Sequence, residues 1–229
     1  MSAHLYAATT NPGKIKEYNQ MARTCGVEVL PLQGLKDLPE VEETGHTFSA
    51  NARLKAEAYS LVASKNTDTG SNVEPLVFAD DSGLCVDALD GKPGVHSARY
   101  SLNDGYDETF NKIAPNNLDR PSIDAANNAK LLRDLEKRSL ESGRGVSRNA
   151  RFVCVIAVAR NGKTLAEFTG EVHGAILNTP RGSGGFGYDP LFYFPELKKT
   201  FAELSEDEKS QYNHRGIAFR KMLESVDHL

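Results

Sequence analysis

The amino-acid sequence predicts a mixed α/β protein. Short apolar runs typical of strands alternate with helix-periodic segments in the first half of the chain, as expected for parallel-type connections. A two-strand antiparallel hairpin follows in the second half. The sequence contains no internal repeats and no low-complexity tract. With 229 residues, the chain can form one large domain or two small lobes.

The first predicted elements are a strand, a helix and a second strand. The apolar run from His4 to Ala8 predicts a short strand that enters the turn cluster "TTNPGK". A helix is predicted to open near Pro12 and to run to about Cys25. The segment "VEVLPL" then predicts the second strand.

A long helix and a buried strand come next. Apolar residues recur at helical spacing in "TFSANARLKAEAYSLVAS", and Thr47 is the predicted N-cap. The polar segment "KNTDTGSNVE" predicts a surface loop. The run "PLVFAD" predicts a buried strand that ends at the adjacent carboxylates of Asp80 and Asp81.

The second half begins with a polar segment, residues 103–121, which predicts a loop with one short helix. The segment "SIDAANNAKLLRDLEKRSLES" predicts a longer helix. The residues predicted to share its apolar face are Ile123, Ala126, Leu132 and Leu135.

The clearest local pattern is "ARFVCVIAVARNGKTLAEFTGEVHG". Two β-rich runs flank Asn161 and Gly162, the preferred pair for a tight type I′ turn, so the pattern predicts a hairpin. The segment "NTPRGSGGFGYDPLFYFP" predicts a glycine-rich loop, and a last helix is predicted from about His214 to Val226.

Composition and charge narrow the function classes. The net charge of −4, from 27 basic and 31 acidic residues, argues against binding along a nucleic-acid backbone. No stretch has the pattern of a signal peptide or the length of a membrane-spanning helix. Cys25, Cys85 and Cys154 are widely spaced, which predicts buried thiols in a reducing compartment. We therefore expect a cytoplasmic protein without membrane or nucleic-acid partners.

Asp80 and Asp81 are the first candidates for chemistry. Asp, Ser and Gly commonly bend or cap the ends of strands, so turn formation is one interpretation of "ADDSG". The other is a site for a hard cation, because carboxylate oxygens are the ligands that Mg²⁺ and Mn²⁺ prefer.

Other segments combine residue types that suit a phosphorylated ligand, each with a purely structural alternative. The loop from Thr9 to Lys14 joins a strand to a helix, where backbone N–H groups can bind an anion, although the P-loop spacing is absent. Glu42 and Glu43 precede a helix, where they either complement its dipole or add a metal ligand.

Two later segments complete the set of candidate ligand-binding segments. The glycine-rich loop presents Phe186 and Tyr188, whose rings suit a base, or it is a mobile loop. Lys209, His214 and Arg215 form either a solvated basic face or a set of donors for phosphate and a keto oxygen.

Taken together, these segments closely resemble the inosine/xanthosine triphosphate pyrophosphatase family. The matching blocks are "TNPGKIKE", "EETGHTFSANARLKA", "ADDSGLCVDALDGKPGVHSARY", "GGFGYDPLF" and "ELSEDEKSQYNHRG", and they follow the family order along nearly the whole chain. The resemblance implies a long mixed sheet in one domain, residues 1–229, with two lobes around a central cleft. It also implies a homodimer and Mg²⁺-dependent hydrolysis, with Mn²⁺ as a possible substitute, of purine nucleoside triphosphates such as ITP, dITP and XTP to the monophosphate and pyrophosphate.

The resemblance also implies roles for individual residues. Asp81 is the proton acceptor for the attacking water and, with Glu42, a metal ligand. Asp80 and Lys55 are supporting candidates. The implied nucleotide contacts are Thr9, Thr10, Asn11, Pro12, Gly13, Lys14, Ser82, Phe186, Gly187, Tyr188, Asp189, Lys209, His214 and Arg215.

Some features depart from the family pattern. Thr10 stands where the family commonly has glycine, and Asn213 where it commonly has a small hydroxyl residue, so either could adjust the base pocket. Residues 65–73 and 103–121 resemble insertions. Two rival functions remain open: a related pyrophosphatase of modified pyrimidine nucleotides, and a catalytically silent module that binds nucleotides or nucleic acid.

Overall fold

The strands of the computed structural model form one mixed seven-stranded sheet, which confirms the predicted α/β class. The structure describes residues 5–32, 34–35, 38–66, 75–102, 119–225 and 228–229. The predicted insertions, and the short helix predicted in the second, lie wholly or largely outside these residues. The strands are β1 (Leu5–Ala7), β2 (Val29–Pro31), β3 (Leu76–Val86), β4 (Asn149–Arg160), β5 (Lys163–Ile176), β6 (Phe192–Phe194) and β7 (Lys199–Thr200).

The sheet has the order β2-β1-β3-β4-β5-β6-β7. β1 pairs in parallel with both β2 and β3, while β6 pairs antiparallel with β5 and β7. The early strands are thus connected through helices and the late ones through turns, as predicted. The short strands β6 and β7 were not predicted, because the sequence pattern there is dominated by glycine and proline.

The described α-helices are α1 (Pro12–Cys25), α2 (Phe48–Asn66), α3 (Arg120–Ser142), α4 (Glu206–Tyr212) and α5 (His214–Ser225). The predicted N-cap of α2 is confirmed, since the Thr47 hydroxyl accepts a hydrogen bond from Ala50 N at 3.1 Å. Among the described helices, none is long and apolar enough to cross a membrane.

The hairpin between β4 and β5 is also confirmed. Asn161 and Gly162 have φ values of 49° and 77°, both positive as a type I′ turn requires. Gly162 N donates to the Ser60 hydroxyl of α2 at 2.8 Å, which fixes the turn against that helix.

The predicted end of β3 is wrong. The strand does not stop at Asp80 and Asp81 but continues through them to Val86, and both carboxylates are buried. The local sequence favoured a strand end because two charged residues are costly inside a sheet. Their charges are matched by cations from distant parts of the chain, described below, so the strand continues.

The chain divides into two compact units. The first unit comprises residues 1–82, 153–171 and 206–229. Its apolar core lies where α1 and α5 pack on β1, β3 and β4. Tyr18, Phe78 and Phe219 form an aromatic cluster in this core, with ring centroids 5.0 to 6.1 Å apart.

The second unit comprises residues 83–152 and 172–205. Four aromatic rings form part of its core, with centroids 4.6 to 5.9 Å apart. They belong to Phe152, Phe192, Phe194 and Phe201. The prediction of one domain with two lobes stays a prediction.

The buried face of α3 is rotated around the helix axis relative to the predicted apolar face. Its most buried positions include Asp124, Asn127, Leu131 and Leu135, whereas Leu132 is only partly buried. Polar residues on the inner face hid the true apolar stripe. The prediction that all three cysteines are buried is wrong for Cys25, which is exposed.

Candidate active site

The loop from Thr9 to Lys14 is held by its own side chains. The Thr9 hydroxyl accepts from Asn11 N at 3.2 Å, and Asn11 Oδ1 accepts from Gly13 N and Lys14 N at 2.9 and 3.2 Å. Asn11 is therefore the N-cap of α1. The backbone donors that the sequence offered to an anion are used by this cap, whereas the Lys14 side chain extends to Asp80.

Asp80 is a buried carboxylate surrounded by positive charge. Its Oδ2 lies 2.8 Å from Lys14 Nζ and 3.5 Å from Arg215 Nε, and the Cys154 thiol lies 3.8 Å away. Burial raises the pKa of Asp80, but the charges of Lys14, Arg215 and Lys55 outweigh it and bring the pKa below its ordinary value. Asp80 is therefore an anion at any pH near neutrality.

Asp81 has different partners. Asn51 Nδ2 donates to Asp81 Oδ2 at 3.1 Å, Lys55 Nζ lies 3.7 Å from Oδ1, and Ser82 N donates to Oδ1 at 3.0 Å. Burial raises the pKa of Asp81, and the Glu43 charge adds to this. Lys55 and Lys14 lower it without cancelling the rise, so the pKa stays above the ordinary value.

The pleat of β3 explains the contrast between the two neighbours. Successive side chains of a strand point to opposite faces of the sheet. Asp80 follows Leu76 and Phe78 toward α1 and α5, whereas Asp81 contacts residues of α2. Two titratable groups whose surroundings move their pKa values apart are a common feature of acid–base sites.

Asn51 joins the acidic loop before α2 to Asp81. Its Oδ1 accepts from Gly45 N at 2.8 Å while its Nδ2 donates to Asp81, and the side chain is almost fully buried. A Cβ at Gly45 would lie 2.6 Å from Asn51 Oδ1, so this close approach requires glycine.

Of the two glutamates in this loop, Glu43 approaches the cluster. Both residues are exposed, but Glu43 Oε1 lies 2.5 Å from Lys55 Nζ. Burial lowers the pKa of Lys55, but the carboxylates of Asp81, Asp80 and Glu43 raise it above the ordinary value. Lys55 therefore remains a cation beside Asp81.

A second buried ionic cluster surrounds Glu17 of α1. Glu17 Oε2 accepts from Arg215 Nη1, and its Oε1 lies 2.7 Å from Lys209 Nζ. Burial raises the pKa of Glu17, but Arg215 and Lys209 outweigh this and lower it to about 2. Arg215 Nη2 also donates to the Ser82 hydroxyl at 2.8 Å, so the arginine connects α1 to β3.

The basic residues that open α5 are buried, so the alternative of a solvated basic face is wrong. His214 and Arg215 are 6% and 2% exposed. Burial, together with the Arg215 charge, lowers the pKa of His214 well below its ordinary value, so its imidazole is neutral. Positive charge at the N-terminus of a helix is unfavourable because the helix dipole is positive there. The negative charge of Glu17 offsets that of Arg215.

Asn213 immediately precedes α5 and is its N-cap. Its Oδ1 accepts from Gly216 N at 2.5 Å, and its side chain is fully buried. Asparagine and the small hydroxyl residues are all good N-caps. The departure at Asn213 is therefore explained by helix capping.

In the second unit, the glycine-rich loop is fixed at several points. Phe186 N donates to Asp189 Oδ2 at 2.8 Å, and the Tyr188 hydroxyl donates to Ser97 O at 2.9 Å. Tyr188 is 4% exposed, whereas Phe186 is partly exposed. Of the two rings, Phe186 is thus the one open to a ligand.

The predicted site residues divide between the two units. Phe186 to Asp189 lie in the second unit, and all the others lie in the first. Contacts in the first unit join Lys14, Asp80, Ser82 and Arg215, while Lys55 joins Asp81. The residues that the sequence reasoning missed are Glu17 and Asn51 in the first unit and, in contact with Gly187 in the second, Asp124 and Asn128.

The fold and this site define a class: mixed α/β proteins with buried carboxylates and cations suited to phosphate chemistry. Residues 5–225 match the family model described as the Ham1 family. The chain belongs to the Ham1 family.

Named relatives and solved structures agree with this assignment. The chain is 44% identical over 224 residues to a protein of Acidobacterium capsulatum named dITP/XTP pyrophosphatase, covering 97% of this chain and 98% of the relative. It is likewise 44% identical to a Geobacillus kaustophilus protein of that name, over 97% and 93% of the two chains. A HAM1 protein from Coxiella burnetii has 32% identity and a TM-score of 0.74, with 100% of both chains covered. The predicted family is confirmed.

Proposed function

We propose that this chain hydrolyses the non-standard purine nucleoside triphosphates ITP, dITP and XTP between the α- and β-phosphates. The products are the nucleoside monophosphate and pyrophosphate. The observation that carries the proposal is the pair Asp80 and Asp81, adjacent carboxylates that have separate cationic partners and opposite pKa shifts. The Ham1 family membership and the names of the relatives support the same reaction.

Asp81 is proposed to be the general base. It takes a proton from water as the water oxygen forms a bond to the α-phosphorus. The bond from that phosphorus to the bridging oxygen breaks, and pyrophosphate leaves with the electron pair. Asp80 is unsuited to this role because Lys14 Nζ and Arg215 Nε lie against its Oδ2, at 2.8 and 3.5 Å.

Lys14, Lys209 and Arg215 are proposed to meet the phosphates and the ribose or base. Lys14 and Lys209 already lie 2.8 and 2.7 Å from carboxylates, so their positions are fixed before a ligand arrives. Preorganised charges of this kind stabilise developing negative charge without reorganisation during the reaction.

The donor set fits a magnesium ion. Mg²⁺ commonly takes only one or two protein carboxylates and completes its shell with water and phosphate. Consistent with that count, the described residues contain no group of three or more metal-binding side chains. We propose Asp81 and Glu42 as ligands, as the resemblance implies, because the Glu43 carboxylate is already paired with Lys55. When bound, the ion withdraws charge from phosphate oxygens and lowers the pKa of water, and Mn²⁺ could replace it.

The remaining assignments follow from the resemblance and the exposures. Phe186 is proposed to contact the base, with Tyr188 supporting the loop from beneath. The neutral His214 can donate one hydrogen bond at the base edge. We also propose that the protein is a homodimer in the cytoplasm. Further proposed nucleotide contacts are Thr9, Thr10, Asn11, Pro12, Gly13, Ser82, Gly187 and Asp189.

The test is incubation of the purified protein with ITP and Mg²⁺, followed by separate assays for pyrophosphate and orthophosphate. Pyrophosphate and inosine monophosphate as first products support the proposal. Inosine diphosphate appearing first would contradict it. Turnover confined to modified pyrimidine nucleotides would favour the related family, and no turnover of any nucleotide would favour a binding module.

A further inference from the structure

One helix of the second unit holds both backbone polar groups of a single residue in the glycine-rich loop, Gly187. Asp124 Oδ2 accepts from Gly187 N at 2.8 Å, and Asn128 Nδ2 donates to Gly187 O at 2.8 Å. Asp124 and Asn128 are four residues apart on α3, so they lie on the same face of the helix. Gly187 has a φ of 62°, in the region that favours glycine.

The orientation of Asn128 is determined by its acceptors. Its Nδ2 also donates to Asp124 O at 2.9 Å, so the amide nitrogen faces two carbonyl oxygens. Rotating the amide would place Oδ1 against both carbonyls and lose both hydrogen bonds. Asp124 is fixed in turn by Arg120, whose Nε lies 3.0 Å from its Oδ1.

These contacts lie on both sides of Phe186, the partly exposed ring of the loop. On one side, Phe186 N donates to Asp189, and on the other, Gly187 is held through both its N–H and its C=O. Tyr188 is then anchored through its hydroxyl to Ser97 O. With the backbone fixed on both sides, the Phe186 ring is presented in a restricted direction.

We propose that Asp124 and Asn128 are positioning residues for purine binding, acting through Gly187 on Phe186. The inference rests on the proposed function, because it takes Phe186 to contact the base. It adds two residues on a helix whose sequence, "SIDAANNAKLL", had suggested only a structural role. The chemical group served is a flat aromatic base, which the Phe186 ring contacts by stacking.

The proposal has a kinetic signature. Stacking on the base is remote from the reacting α-phosphorus, so it contributes equally to substrate and transition-state binding. Losing such an interaction raises KM and leaves kcat unchanged. Asn128→Leu removes the neutral hydrogen bond to Gly187 O, together with the one to Asp124 O, and should raise the KM for ITP about fivefold. Asp124→Leu removes a charged acceptor and should raise it about tenfold or more.

Conservative and matched variants separate positioning from folding. Asp124→Asn keeps an oxygen acceptor for Gly187 N and should restore most of the KM. Arg138→Gln is the control, since Arg138 lies on the same helix, is 49% exposed and pairs only loosely with Asp90 at 3.4 Å. Its KM should match that of the wild type.

A double mutant tests the route through Phe186. In a Phe186→Ala background, Asn128→Leu should cause no further rise in KM, because the ring that it positions is gone. Equal effects in both backgrounds would show that Asn128 acts elsewhere and would overturn the proposal. Amide hydrogen exchange at Gly187 supplies a readout independent of catalysis, and exchange should be faster in Asp124→Leu than in the wild type.

The possible outcomes distinguish failure of the positioning role from failure of the proposed function on which it rests. A wild-type protein that leaves ITP intact would refute the proposed function, and the positioning role would fall with it. An active wild type, with Asn128→Leu and Asp124→Leu variants whose KM is unchanged, would overturn the positioning role alone. Variants whose kcat falls while KM stays constant would also overturn it.

Discussion

Replacing Glu17 with glutamine should remove a pH-dependent part of the stability of the first unit. Glu17 is the shared anion for Arg215 and Lys209, and all three side chains are at most 12% exposed. Glutamine keeps the shape of glutamate but not its charge. The buried guanidinium of Arg215 then loses one of its two carboxylate partners and retains Asp80.

The magnitude follows from the pKa of Glu17. The surrounding cations lower it from 4.5 to about 2 against the opposing effect of burial. At about 1.4 kcal/mol per pKa unit, the folded state gains roughly 3 kcal/mol from the ionised form. Because the folded pKa is the lower one, this contribution is complete above about pH 5 and is lost as the pH falls toward 2.

The assay is urea unfolding of the wild type and Glu17→Gln at several pH values between 3 and 7, with circular dichroism as the signal. The difference in unfolding free energy should be roughly 3 kcal/mol near pH 7 and should shrink steadily below pH 5. Glu206→Gln is the control, because Glu206 pairs with Lys16 at the surface and both side chains are over 60% exposed. That variant should change stability little at any pH. A difference for Glu17→Gln that stays constant from pH 7 to pH 3 would refute the reasoning.

Three further predictions, tested with four variants, concern the Asp81 side of the site. Asp81→Asn should lower the rate of pyrophosphate release from ITP by roughly 10²- to 10⁴-fold with an unchanged circular dichroism spectrum, and near-normal turnover would exclude Asp81 as the base. Glu42→Gln should raise the Mg²⁺ concentration needed for half-maximal rate more than Glu43→Gln does, and the reverse order in a metal titration would transfer the ligand role to Glu43. Asn51→Leu leaves the Asp81 carboxylate and Gly45 N without a shared partner, so it should destabilise the protein by about 1–3 kcal/mol in urea unfolding; unchanged stability would contradict this.

Much of the fold was predictable because its signals are local. The pair Asn161-Gly162 determines its turn through backbone conformation alone, and Thr47 caps a helix that begins one residue later. The end of β3 was not predictable in the same way. Whether Asp80 can remain inside a strand depends on Lys14 and Arg215, which lie 66 residues before and 135 residues after it in the sequence.

The site shows the same division between local and distant information. Family motifs predicted roles for Asp81 and the loop at Phe186, which stay predictions, whereas Glu17 and Asp124 were missed because each appears as an ordinary polar residue on a helix. A signal was present for Asp124 and Asn128, since both lie in line with Leu131 and Leu135 on the buried face of α3. Polar residues that lie in line with the apolar residues of a helix face indicate buried side chains with hydrogen-bonding roles.

The glycine at position 170 shows how closely α5 is seated on β5. A Cβ there would lie 2.1 Å from His214 O and 2.6 Å from Ala218 N, so even alanine would displace the helix.

The alternation of β3 has a consequence for how this chain can change over evolutionary time. Asp80 and Asp81 have different surroundings because they lie on opposite sides of one strand. Deleting a single residue between Leu76 and Asp80 would turn both carboxylates to the opposite face of the sheet without altering either amino acid. Asp81 would then occupy the position beside Lys14 and Arg215, and Asp80 would lie on the face toward α2. A substitution along this strand changes one side chain, whereas a change in its length by an odd number of residues before Asp80 turns both carboxylates to the opposite faces of the sheet.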